Sequence, residues 1–368
     1  MLISIITTTI NSPSFLNYYF KNLKDNNIDK NSIKFIIVGD NKTPNDKWFN
    51  CDFDYSTEYW DIETQNIYLN KLTNNKDMLT KLFPENNMLR RNFGYLRAIE
   101  LGSDIVITVD DDNLPIDCNY VKSHIDALNN KQVYSVRSSN KIINHCEILK
   151  MNHSGIYGRG YPTDYMFNLN TVISEGLNNK EVMLNMGLWT NKPDVDATYN
   201  VIFNDLNSEK ILLTNNFSIC KDNYFSVNTQ NTAIKGKASH IFHNEYMNIV
   251  NDYPLHRYDD IWSGLFTLKV IHANNDTASF GNPIVEHRRN THNYSKDLQT
   301  EYMGYIINNR VWNKVMNMDI SSGDYIQSYL DIAKELSKTS EFEQSINKYF
   351  HTLSDTMIFW CKLVDKVL

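Results

Sequence analysis

A chain of 368 residues with 42% hydrophobic and 12% aromatic side chains is too long for a small single-core domain. It forms one large domain with additions, or two domains. A formal net charge of -7 and a pI near 5.8 argue against a nucleic-acid-binding protein.

The N-terminal "MLISIITTTINSP" lacks a basic leader and a cleavage site, and reads as a first strand over 2–9. No apolar run reaches membrane-spanning length. The five scattered cysteines contain no CxxC pair, which fits a reducing compartment and gives no zinc signature. A cytoplasmic protein is the expectation.

Ser12-Pro13 look like an N-cap and a first helical turn. Phe15, Leu16, Tyr19, Phe20 and Leu23 then repeat at helical spacing. "SIKFIIVGD" is a second strand ending at Gly39-Asp40, and the helical "NFGYLRAIELG" leads into Ile105-Val106-Ile107-Thr108-Val109. This strand–helix–strand alternation predicts an α/β fold with a parallel, doubly wound sheet. Ligands of such sheets bind beyond the carboxyl ends of the strands. Thr7 to Thr9, Asp40 and the triplet Asp110-Asp111-Asp112 all fall on that edge.

Three adjacent carboxylates repel one another unless a cation neutralises them. Mg²⁺ or Mn²⁺ bridging to substrate phosphates is the usual solution, although an acidic turn that caps the next helix would use the same residues. Further along, "SGIYGRGYP" (154–162) reads as a loop close to a ligand. "VMLNMGLWTNKPDVDA" (182–197) reads as a strand and turn carrying Asp194 and Asp196. Asp259 and Asp260 precede a strongly apolar helix, and from about 320 onward amphipathic helices close the chain.

Five segments, "RRNFGYLRAIELGSDIVITVDDDN", "GRGYP", "GLWTNKPDVDA", "HRYDDIWSGL" and "EHRRNTHNYSKDLQTEYMG", occur in this order over roughly residues 2–305. Together they resemble the reversibly glycosylated polypeptides, also called UDP-arabinopyranose mutases. The resemblance implies a GT-A type, Rossmann-like, mostly parallel sheet flanked by helices over 1–310, with a C-terminal helical extension over 311–368. Arg90 and Asn92 stand where the plant proteins carry cysteines.

By this resemblance Asp110 and Asp112 form a D-x-D that holds Mn²⁺ or Mg²⁺, with His287 as a third ligand and Asp111 turned towards sugar or ribose. Thr7, Thr8, Thr9 and Asp40 sit where the fold grips base and ribose. Arg90 and Arg91 open a helix facing the site, and guanidinium forks suit phosphate; Arg91 would hold the leaving diphosphate for recapture. Asp194, Asp196, Asp259 and Asp260 are the catalytic carboxylate candidates, since a carboxylate can stabilise an oxocarbenium-like sugar or act as a base. Trp189 and Trp262 could stack on base or sugar, or be plain core.

The expected activity is interconversion of pyranose and furanose forms of an NDP-sugar, UDP favoured. The absence of a G-x-G-x-x-G fingerprint is consistent with a flavin-free route. Alternatives are a glycosyltransferase using the same donor site and a non-catalytic nucleotide-sugar binder or scaffold. A homo-oligomer formed through the C-terminal helices is a further expectation.

Overall fold

The computed structural model describes residues 1–116, 118–129, 133–167, 171–175, 180–211, 215–290 and 293–368; Thr291 and His292 of the fifth family segment lie outside them. The N-terminal half runs β1 (Ile3–Thr9), α1 (Leu16–Asp25), β2 (Ile33–Gly39), α2 (Asn45–Phe49) and β3 (Ser56–Trp60). Helices α3 (Ile62–Leu72), α4 (Lys76–Leu82) and α5 (Arg91–Glu100) then return the chain to β4 (Ile105–Val109).

Next come β5 (Asn113–Pro115), α6 (Tyr120–Leu128), β6 (Val133–Ser138), β7 (Leu149–Met151) and β8 (Thr171–Glu175). They are followed by β9 (Val182–Asn191), α7 (Ala197–Ile202), β10 (Ser208–Ile211), β11 (Asn216–Ile219) and β12 (Asn231–Lys235). A small hairpin, β13 (Ile249–Val250) and β14 (Tyr253–Pro254), precedes α8 (Asp259–Ala273) and β15 (Thr277–His287). Helices α9 (Tyr294–Met316), α10 (Tyr325–Ser337) and α11 (Gln344–Val367) complete the chain.

The main sheet has the order β3-β2-β1-β4-β12-β9-β15-β11-β6-β8. Its first four strands are parallel, and every residue of β4 is buried, as expected for a strand covered on both faces. Beyond β4 the parallel expectation gives way to a mixed arrangement. β12 runs antiparallel to both β4 and β9, while β9 and β15 pair in parallel. The chain leaves β1 towards β2 and β3, then returns to β4 on the other side of β1. That reversal is a topological switch point, and it opens a crevice at the carboxyl ends of β1 and β4.

Leu16, Tyr19, Phe20 and Leu23 of α1 are buried, as their spacing requires. On α11 the same rule buries Ile346, Tyr349, Phe350, Leu353, Met357, Trp360 and Val364. These faces pack on the chain itself: Trp360 donates to His240 O (2.9 Å) and stacks on His243, and Tyr329 of α10 donates to Glu245 (2.6 Å). Residue 310 lies inside α9, which continues unbroken to Met316. No helix among the described residues is long and apolar enough to cross a membrane.

Candidate active site

A cleft of about 650 Å³ lies over the switch point, within the usual size range of small-molecule sites. Of the residues singled out from sequence, Thr8, Thr9, Asp40, Arg91, Asp110, Asp111, Asp112, Asp194, Asp259, Asp260 and His287 line it. Thr7, Arg90, Trp189 and Asp196 are not on its surface.

One wall is made by the ends of β1 and β4. Thr9 at the end of β1 donates to the Asp111 carboxylate, which also accepts from Asn11 Nδ2 (2.9 Å). Asp110 is ion-paired through Oδ1 with Arg91 from the first turn of α5. The Arg91 guanidinium is fully buried and also donates to Thr229 O (3.0 Å). Burial pushes the Asp110 carboxyl up, and Arg91 only partly offsets this. Asp40 is spent on backbone: its two oxygens accept from the amides of Asn41 (2.7 Å), Asn86 (2.9 Å) and Asn87 (3.1 Å). It therefore pins the 86–87 turn against the end of β2.

The 287–290 segment meets this wall at Asp112. Arg288 N donates to Asp112 O (2.8 Å), and Asn290 N donates to its carboxylate (3.1 Å). His287 Nδ1 lies 2.6 Å from Lys192 O. A carbonyl only accepts, so Nδ1 carries the hydrogen and the neutral ring keeps its lone pair on Nε2. That nitrogen faces Asp112 Oδ2 at 3.6 Å. Among the described residues no group of three or more His, Cys, Asp or Glu side chains is already gathered for an ion. Two electron-pair donors aimed at each other nonetheless fit a divalent cation between them, and Asp110 would offer Oδ2, the oxygen turned away from its bond to Arg91.

The opposite wall is organised by a residue that sequence reasoning passed over. Arg159 is buried in the "GRG" loop. Its Nε donates to Asp194 Oδ1 (2.9 Å), while Nη1 and Nη2 form a fork on Asp260 (2.9 and 2.6 Å). A bidentate guanidinium is the strongest way to hold a carboxylate. Burial alone would raise the Asp194 carboxyl, but Arg159 outweighs it and the net shift is downward. The two flanking glycines are sterically required. A Cβ at Gly158 would strike the His145 ring, and Gly160 has φ +73° with Ile261 where its side chain would go.

Residues 228–230, also unremarked in the sequence, tie the walls together. Asn228 Nδ2 donates to Asp194 (3.0 Å), Thr229 O accepts from Arg91, and Gln230 O accepts from Asp110 N (3.2 Å). Asp259 lies beside Asp260 at the start of α8, where burial and then Asp260 push its carboxyl up to about 6. Arg257, at φ +64°, is paired with Glu301 (2.6 Å). Arg257 and Arg289 add positive charge to the cleft lining.

Five sequence candidates lie off the cleft surface. Trp189 is completely buried against the His145 ring (centroids 5.6 Å apart), because β9 is covered on both faces there. Trp262 is likewise core, stacked on Phe350. Arg90 is buried and donates to Phe83 O (2.5 Å). Thr7 is buried within β1. Asp196 sits behind the cleft, accepting from Gly160 N (2.9 Å), and burial followed by the neighbouring Glu301 raises it to about 8. Two glycines bracketing one arginine were the available signal for Arg159; residues 228–230 offered none.

A family model described as "Reversibly glycosylated polypeptide" matches residues 14–368, so it includes the helices beyond 310. No curated protein matches by sequence. Among solved structures, glucosyl-3-phosphoglycerate synthase from Mycobacterium tuberculosis, in complex with Mn²⁺, UDP-glucose and phosphoglyceric acid, is 8% identical with a TM-score of 0.42. That match covers 87% of this chain and 81% of the synthase. S. aureus TarS 1–349 in complex with UDP-GlcNAc is 12% identical with a TM-score of 0.37, covering 95% of this chain and 70% of TarS. These likenesses are too loose to carry function.

Proposed function

The chain belongs to the reversibly glycosylated polypeptide family, and from that premise we propose that it interconverts pyranose and furanose forms of an NDP-sugar, UDP favoured, with Mn²⁺ or Mg²⁺. One observation carries the reading: a single cleft has the Asp112–His287 pair on one wall and the Arg159-held carboxylates on the other. The first suits a diphosphate and the second an electron-poor sugar.

Thr8, Thr9 and Asn11 take the nucleoside end, with the Asp40-pinned turn as its outer wall. Asp110, Asp112 and His287 hold the ion. Once bound, it offsets phosphate repulsion and the charge left when the anomeric C–O bond breaks. Arg91 acts by fixing Asp110, and Arg257 and Arg289 supply positive charge for the retained diphosphate. Asp260, clamped by Arg159, presents a fixed negative charge to the oxocarbenium-like ring. Asp259, raised to about 6, moves the ring hydroxyl proton, since a group poised near neutrality can both take and give it. Pairs of carboxylates with divergent environments divide such roles.

The test is incubation with UDP-pentoses and UDP-hexoses and Mn²⁺ without acceptor, followed by NMR of the sugar ring. A new ring isomer at constant total UDP-sugar is expected. Free UDP alone, or no change, overturns the mutase reading, and sugar delivered to an added glycan acceptor makes the protein a glycosyltransferase.

A further inference from the structure

Asn92 follows Arg91 in the first turn of α5 and is fully buried. Its amide bonds through both ends: Nδ2 donates to Leu82 O (3.0 Å) and Asn244 O (2.9 Å), and Oδ1 accepts from Asn244 N (2.7 Å). A side chain that both donates to and accepts from one residue's backbone fixes that residue's position and peptide orientation. Asn244 passes the constraint on. Its Nδ2 donates to Asp259 Oδ2 (2.5 Å), and the amide of Glu245 donates to Asp259 O (3.0 Å).

We infer that Asn92 is a positioning residue, which through Asn244 holds the Asp259 carboxylate in its orientation in the cleft. Consecutive residues of one helical turn then serve both walls: Arg91 sets Asp110 and Asn92 sets Asp259. The inference rests on the proposed proton-transfer role of Asp259 only for its catalytic consequence.

The groups facing Asp259 come from four directions. Asp260 lies on its own helix and Arg159 in the glycine loop; Asn244 and Glu245 precede it, and Tyr349 reaches in from α11. Burial and Asp260 raise the carboxyl, whereas the Asn244 amide and Arg159 lower it. Loosening Asn244 removes a donor to the charged form, so the titration midpoint of Asp259 must rise.

The experiment is NMR titration of the protein labelled with ¹³C at aspartate Cγ, the Asp259 signal being identified by its loss in Asp259→Asn. Asn92→Ala and the gentler Asn92→Ser should each raise the Asp259 midpoint, by about one unit for one lost hydrogen bond. Asn244→Ala should give the same shift, and the double variant Asn92→Ala/Asn244→Ala no more than either alone. Affinity for UDP with Mn²⁺, read by calorimetry, should stay within about twofold, since Asn92 touches only the other wall. An unmoved Asp259 midpoint in folded Asn92→Ser, with Asn244→Ala shifted, overturns the inference. Wild-type turnover of UDP-sugar by Asp259→Asn would instead remove the catalytic role of Asp259, leaving the titration result to decide the clamp.

Discussion

On the β1–β4 wall, each functional group sits at the end of a strand or helix that would form without it. Thr9, Asp40 and the aspartate triplet simply continue β1, β2 and β4. On the Arg159 wall the groups come from a loop, a turn and a helix start, and buried ion pairs hold them together. Arg159 bridges Asp194, 35 residues away, and Asp260, 101 residues away. Apart from the pair that buried Arg91 makes with Asp110 and the buried Asp40, the first wall tolerates change at Asp111 and Asp112, which lie at a partly open edge. The second does not, because a charge buried without its partner is costly.

The sharpest way to break this contrast is Arg159→Met. It strands Asp194 and Asp260, and urea denaturation should show a loss of about 3–5 kcal/mol. A loss below about 1 kcal/mol would mean that the second wall is as loosely held as the first.

The next effect is on pH. Asp196 is raised to about 8, above its value in the unfolded chain, so between roughly pH 4 and pH 8 the native state holds a proton that the unfolded state has lost. Unfolding then releases protons, and stability falls as pH rises through that window. Asp196→Asn should flatten the fall, measured as urea midpoints at about pH 5 and about pH 8.5. Equal slopes in both proteins would show that Asp196 does not titrate with folding.

On the first wall, Asp112→Asn should leave stability within about 1 kcal/mol while removing the Mn²⁺-dependent gain in UDP affinity, a loss of at least about 10–100-fold by calorimetry. Undiminished affinity would take the ion away from this wall. The other variant on this wall is Asp40→Ala. It frees the amides of Asn86 and Asn87 and should cost about 1–3 kcal/mol. UMP and UDP affinities should weaken by a similar factor, because the turn borders the nucleoside end. An effect on UDP alone would place Asp40 near the diphosphate instead.

The sequence by itself determined the elements whose burial is written in local period: β1, β2, β4, α1 and the two last helices. It also located the strand-end acids, because an apolar run stopping at polar residues marks where a strand leaves the core. Which of the polar and aromatic residues face the cleft was decided only in three dimensions. Trp189 and Arg90 went into the core, since a strand or helix start covered on all sides carries no period to tell cleft from interior. Arg159 and Asn92 took charge of the acids by reaching across to residues 35 to 152 positions away. Local periodicity reports on neighbours along one element, whereas the balance of buried charges and amides depends on which distant segments the packed sheet brings within hydrogen-bonding distance.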